Sequence, residues 1–231
     1  RRGTERGLRA RSTSVVRRCS VERVATAGAI AVLAAVGRRR HLTWGSTPDE
    51  VARALPGDEL VRSPHLTSTR SITVRAAADD VWPWLAQMGQ GRGGLYSYDW
   101  LENLAGCQMH SAHRVVPEWQ SVEVGDPFRL HPDLALRVAR IDPGESLVVE
   151  GGVSPTGQET SGSDAPYDFS WAFVLVPVGA DATRLIIRER YRYHAAWVRL
   201  MVEPISVISC VMTERMMRGI RDRAEGTRSG S

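Results

Sequence analysis

The stretch "WPWLAQMGQGRGGLYSYDWLEN", Trp82–Asn103, contains Gly89-x-Gly91-x-x-Gly94, the glycine spacing of a dinucleotide-binding loop. Such a loop needs a strand entering it and a helix leaving it, so that the helix N-terminus faces the pyrophosphate. Here a helix enters. Asp79 or Asp80 can cap it, and Pro83 falls in the first turn, where its missing N–H is tolerated. Val81, Trp82, Trp84, Leu85 and Met88 recur at helical rather than alternating spacing. The glycines therefore connect two helices, and the chain is read as something other than a nucleotide-binding α/β protein.

Working outward from this block gives the order of elements. Before it, "STRSITVRA" (Ser68–Ala76) sets Ile72 and Val74 against Arg70, Thr73 and Arg75 and reads as a half-buried strand. After it, "YSYDWLENLAG" reads as a second short helix ending at Gly106. Five strand-like runs follow: 126–131, 134–141, 146–151, 169–178 and 183–193. Pro132-Asp133, Asp142-Pro143-Gly144 and Gly179-Ala180-Asp181 mark three reversals. The long segment "GGVSPTGQETSGSDAPYD" separates two of the strands, and connections of that length are either mobile or functional. The chain closes on a helix over about 195–224. Trp197, Met201, Ile205, Ile208, Met212, Met216 and Ile220 are expected to form its apolar stripe, with a kink or break at Pro204.

One strand, two helices, an antiparallel run and one long final helix make an α+β domain. The sheet must bury its apolar face, and the last helix is the element large enough to cover it. A curved antiparallel sheet wrapped around one long helix tends to leave a cavity between them.

Charge and composition exclude several functions. Residues 1–40 hold 11 basic and 2 acidic residues, a net of +9; the rest holds 19 and 24, a net of −5. The folded part offers no bulk basic face, so no nucleic-acid partner is expected. All basic residues are Arg, which removes a phosphate-binding lysine, Schiff-base chemistry and a pyridoxal phosphate anchor. No cofactor is expected. Cys19, Cys107 and Cys210 read as single thiols. Cys107-x-x-His110-x-x-His113 fits no standard zinc spacing and has no clear fourth ligand, so no metal is expected.

The chain divides into a basic N-terminal segment (1–40), a linker with a short helix (41–62) and the main domain (63–228). It begins at Arg1, so more sequence is expected upstream. The charge-free run 24–37, "VATAGAIAVLAAVG", is closed by Arg38–Arg40. Its fourteen residues make a helix of about 21 Å, short of the roughly 30 Å hydrocarbon core. A short membrane anchor, a signal-like segment and a soluble packed helix all remain open, the Arg triplet arguing against a cleaved signal. As an anchor it would be a single short helix holding an otherwise cytoplasmic chain to the membrane, with the N-terminus inside. In the linker, Thr47 and Glu50 stand in capping-box register with Pro48 at the first helical position.

The element order resembles the helix-grip superfamily (SRPBCC), which holds START lipid-transfer domains, the birch-pollen allergen family and polyketide cyclases. More closely, "TRSITVRAAADDVWPWLAQMGQGRGGLYSYDWLENLAG", "HSAHRVVPEWQSVEVGD" and "MTERMMRGIRDRAEG" look like a bacterial SRPBCC branch, over about residues 44–226. The resemblance implies a helix-grip fold and no metal. It also implies that the glycine segment lies near a cavity entrance, and it raises the weight of an N-terminal membrane anchor.

Candidate site residues follow from alternation. In "TRLIIRERYRY", Leu185, Ile187, Glu189 and Tyr191 share one face, while Arg184, Ile186, Arg188 and Arg190 form the other, expected to face solvent. Glu189 is then either a polar group in the cavity or the partner of an Arg at the sheet edge. Trp171 and Phe173 are assigned to the same wall. Met201, Met212 and Met216 are either pocket-lining or plain core. Tyr96, Tyr98 and Trp100 belong to the glycine segment, read as a wall or gate or simply a tight connection. His110 is placed at the mouth or in a loop.

Two functions of different class remain, with a third, service to a partner protein without any ligand, beside them. One is binding of a lipid, fatty acid, steroid or polyketide-like molecule, with Glu189 and Tyr191 orienting it. The other is a polyketide cyclase or dehydratase using Glu189 or His110 as general base. With no nucleophile elbow, HExxH or paired catalytic carboxylates in the sequence, binding is the preferred reading.

Overall fold

The structure, a computed structural model, describes residues 35–151 and 166–228. Most of the apolar run 24–37 and most of the long Gly/Ser/Pro segment lie outside the described residues. The chain forms two compact units, 1–40 and 41–231. Of the first, the described residues 35–40 are helical.

The larger unit begins with helix α1 (Pro48–Ala52), opened by the expected capping box. The Thr47 hydroxyl accepts from the Glu50 N–H at 3.2 Å, and the Glu50 carboxylate accepts from the Thr47 N–H at 2.8 Å. Strand β1 (Leu66–Val74) is followed by helices α2 (Ala78–Ala86) and α3 (Asp99–Leu104). Helix α2 starts after Ala77 with no side-chain cap, so the Asp79 and Asp80 carboxylates sit in its first turn instead. Then come β2 (Pro127–His131), β3 (Leu134–Asp142), β4 (Ser146–Gly151), β5 (Tyr167–Pro177), β6 (Thr183–Tyr193) and the terminal helix α4 (Ala196–Arg228).

The strands form one antiparallel sheet in the order β1-β6-β5-β4-β3-β2, so the first strand closes onto the last. Register shifts at Arg129/His131 in β2 and Val138/Arg140 in β3 add the local twist that lets the sheet curve. The concave face carries Phe169, Trp171, Phe173 and Leu175 of β5 opposite Tyr191, Glu189, Ile187 and Leu185 of β6. Helices α2 and α4 pack against this face, giving the α+β helix-grip architecture.

The opposite face is also covered. Leu55 packs with Val148, Ala172, Val174 and Ile186. The arginines of β6, expected in solvent, serve this layer. Arg184 grips both oxygens of Glu50 at 2.7 and 2.8 Å. Arg188 is 3 % exposed and reaches Asp58 at 2.7 Å and the carbonyls of Glu50, Val51 and Arg53. A guanidinium at the end of α1 satisfies carbonyls that the short helix leaves open. Residues 41–62 are thus an integral layer of the larger unit.

Helix α4 runs through Pro204 without a break. Its inward face differs from the expected stripe. Met216 and Ile220 are buried, but Trp197, Ile205 and Ile208 are exposed. In the first half the inward positions are Val198, Val202, Ser206 and Cys210, continuing to Thr213. Ser206 and Thr213 stand there because a charged pair on the sheet lies beneath them. Among the described residues, Ala196–Gly226 is long and apolar enough to cross a membrane by length and composition; its second half packs on the sheet as the core helix.

Candidate functional site

Between the concave sheet and α4 lies a cavity of about 210 Å³. Its walls are mostly apolar and aromatic: Leu95, Leu130, Leu136, Tyr167, Phe169 and Trp171, with Tyr191, Met212 and Met216. The rings contact one another, Phe169–Tyr191 at 4.6 Å and Tyr167–Tyr191 at 5.8 Å between centroids. Burial raises the Tyr191 phenol well above its usual range, with Glu189 and Tyr167 adding to the effect. The remaining lining groups are Ser97, Glu102, Glu189, Ser209 and Thr213.

Glu189 faces the cavity and is also one half of a buried ion pair. Arg70, fully buried, places Nη1 3.2 Å from Glu189 Oε2. Ser68 donates to the same oxygen at 2.9 Å, Ser209 to Oε1 at 2.6 Å, and Thr213 to Oε1 at 3.5 Å. Arg70 donates further to the carbonyls of His41 at 3.1 Å and Ser206 at 3.4 Å. Both readings offered by the sequence hold together: the carboxylate lines the cavity and pairs with an Arg of the neighbouring edge strand. Arg70 shares parity with Ile72 and Val74, so the pleat turns it inward with them. The sequence reading set it on the opposite face because of its charge.

Glu102 is a different kind of acid. It sits on α3, is 8 % exposed, and its Oε2 has no hydrogen-bond partner among the described residues. Burial, helped by the nearby Asp99 charge, pushes its carboxyl up to about 7. Asp99 itself is committed, accepting from the Ser111 N–H at 2.7 Å and the Ser111 hydroxyl at 2.6 Å. The Trp171 indole N–H, also in the cavity wall, likewise lacks a partner among the described residues.

The glycine segment positions this wall. Gly89 and Gly94 exchange two backbone hydrogen bonds of 3.0 Å, closing a tight loop. Gly94 has φ +75°, and a Cβ there would lie 2.8 Å from the His110 carbonyl oxygen, so the backbone path needs glycine. Tyr96 beyond it is fully buried. Its hydroxyl donates to the Trp84 carbonyl at 3.1 Å and accepts from Gln87 at 2.9 Å, and burial raises it to about 12. With Tyr96 pinned away, its neighbours Leu95 and Ser97 line the cavity, and the Ser97 hydroxyl ties the loop to α4 through the Met212 carbonyl.

Of the residues singled out in the sequence, Trp171, Glu189, Tyr191, Met212 and Met216 line the cavity. Phe173, Leu185 and Ile187 lie behind it in solid core. Tyr96 serves as a packing pin. Met201 packs in a separate cluster with Leu42, Leu66 and Val198. Tyr98 precedes α3 beneath the Arg215 guanidinium, Trp100 is 65 % exposed and His110 is exposed. These three lie outside the cavity because α3 turns Glu102, not its aromatic neighbour, inward. Among the described residues no three His, Cys, Asp or Glu side chains gather as metal ligands. Glu102, Arg70, Ser209 and Thr213 went unnoticed in the sequence; the parity of Arg70 with Ile72 was the one signal available.

The chain matches no protein-family model, and no curated protein matches it. It is similar in structure to norcoclaurine synthase from Thalictrum flavum, with 16 % identity and a TM-score of 0.41 over 68 % of this chain and 84 % of that one. It is similar to DynU16, a protein of the dynemicin biosynthetic locus, with 16 % identity and a TM-score of 0.37 over 67 % of this chain and 47 % of that one. A solution structure from Thermobifida fusca gives 16 % and 0.38, over 68 % and 92 %. These are likenesses of chain course, and the activities of those proteins do not transfer with them. By its own strand order, by the two helices after β1 and by the long helix across the concave face, the chain has a helix-grip fold.

Proposed function

We propose that the protein binds a hydrophobic small molecule in the cavity between sheet and terminal helix. The observation that carries this is the cavity itself: an aromatic and aliphatic bowl holding a few convergent polar groups, two of them without partners. Size narrows the occupant. A cavity of about 150 Å³ holds benzene, so about 210 Å³ suits a one- or two-ring molecule. Native mass spectrometry of the purified full chain tests the reading, with and without added 2-naphthylmethanol and with Met216→Trp as a blocked control. One ligand bound per wild-type chain and none to the blocked variant supports it. Equal binding to both overturns it.

The cyclase or dehydratase alternative has a narrower base. His110 is exposed and does not line the cavity, and the Glu189 oxygens already accept from Arg70, Ser68, Ser209 and Thr213. A proton-transfer role fits Glu102, whose carboxyl at about 7 is poised for exchange near neutral pH.

We also propose that residues 24–37 tether the chain to a membrane. The charge-free run between arginines supports this, and Leu200, Val207, Ile208 and Val211 of α4 add an exposed apolar surface compatible with lipid. Carbonate extraction of membranes tests it; full release into the soluble fraction defeats it.

A further inference from the structure

Among the described residues the cavity wall is apolar and aromatic with two carboxyl groups, and no Arg or His belongs to it. Its two ionisable carboxyl groups are Glu102 on α3 and Glu189 on β6. Arg70 lies against Glu189 and balances that charge. Among the described residues no cation is paired with Glu102. Asp99, one turn earlier on the same helix, adds negative charge and is already engaged by Ser111. The Glu102 Oε2 atom is buried, faces no donor among the described residues, and belongs to a side chain lining the hollow. An acid kept in an apolar cavity without a partner is costly, and a ligand group that supplies the partner recovers that cost on binding. Around it stand Tyr167, Phe169, Trp171 and Tyr191, whose ring faces attract a cation.

We infer that the natural ligand is a small aromatic or alicyclic amine, its ammonium group hydrogen-bonded to Glu102 and its ring in the aromatic bowl. This rests on the cavity-binding reading above and goes further, because it separates ligand classes of equal size and shape. Among the described residues a carboxylate or phosphate headgroup meets no basic residue in the wall and an unbalanced negative charge, which disfavours fatty acids and other anions. A neutral alcohol fits by shape and can donate one hydrogen bond, but it brings no positive charge to balance the carboxylate.

Three bicyclic probes that differ in one group make the test: 2-naphthylmethylamine, 2-naphthylmethanol and 2-naphthoate. Their affinities for the full chain are measured by calorimetry at about pH 8, where Glu102 is ionised and the amine is charged. Pairing an ammonium with the carboxylate in a low-dielectric cavity predicts that the amine binds at least about tenfold more tightly than the alcohol. The naphthoate should bind more weakly than either. In Glu102→Gln the amine and the alcohol should bind within about twofold of each other, while Trp100→Ala, a change outside the cavity, should leave the amine's preference at its wild-type size. The wild-type ranking stands as a test without the variant. Alcohol binding as tight as amine binding, or naphthoate binding best, overturns the amine inference alone. No binding by any of the three overturns the cavity-binding reading, and this inference falls with it.

Discussion

Replacing Glu102 by Gln should change the pH dependence of stability in a calculable way. Burial, with Asp99 second, moves this carboxyl from 4.5 to about 7 in the folded chain. The folded state therefore holds the proton more tightly than the unfolded state. Below pH 4.5 both forms are protonated and this contribution is complete; it is lost as pH rises through 7. The interval corresponds to about 3 kcal/mol by the usual conversion. Gln has nearly the same shape and carries no charge at any of these pH values. Between about pH 5 and about pH 8.5 the wild type should lose roughly 2–3 kcal/mol relative to the variant. The groups common to both proteins, including Asp99 and the Arg70–Glu189 pair, cancel in the difference. Urea unfolding of both proteins at the two pH values measures it. Stability curves that run parallel, within about 0.5 kcal/mol, would refute the claim that Glu102 is buried without a partner.

Further outcomes follow from other contacts. Arg70→Met leaves the Glu189 carboxylate buried without its cation and should cost about 3–5 kcal/mol, whereas Arg70→Met with Glu189→Met should restore most of that; urea midpoints decide, and a single-variant loss below about 1 kcal/mol contradicts the buried pair. Gly219→Ala would gain about 1 kcal/mol of helix propensity. Its Cβ, however, would lie 2.3 Å from the Tyr96 carbonyl oxygen, so a net loss of about 1–3 kcal/mol is expected, and a higher melting temperature would contradict the close approach. Arg188→Met removes the donor shared by Asp58 and the carbonyls of Glu50, Val51 and Arg53. Hydrogen exchange should then accelerate across residues 48–61 while β5 and β6 stay protected; unchanged exchange would show that the segment is held by other means.

The strands were legible because their pleat alternation is bounded by Pro, Asp and Gly turns, and the ends of β6 fall where Thr183 and Tyr193 suggested. The inward direction of Glu189 came from the same period. Three things were hidden. Charge was taken as a sign of solvent, which misplaced Arg70 and the outer face of β6, although a buried arginine with enough acceptors is stable. In α3 the pattern inverts, with Trp100 and Leu104 exposed and Glu102 buried, so apolar periodicity points away from the site. In α4 the inward face carries Ser206, Ser209 and Thr213 because they serve Arg70 and Glu189, and the visible apolar spacing followed the outer side instead. Arg70, Ser209 and Thr213 were missed for one reason: their partners come from distant parts of the chain.

The most direct test follows the indole N–H resonances of the seven tryptophans while 2-naphthylmethanol is titrated into the full chain, with Trp171→Phe identifying the cavity signal. Trp171 lines the cavity with its N–H unpaired, whereas Trp100 and Trp197 lie at the surface. A saturable shift of the Trp171 signal, with those of Trp100 and Trp197 unmoved, is the predicted result. A Trp171 resonance that stays fixed while the surface indoles respond would contradict a ligand site between the sheet and the terminal helix.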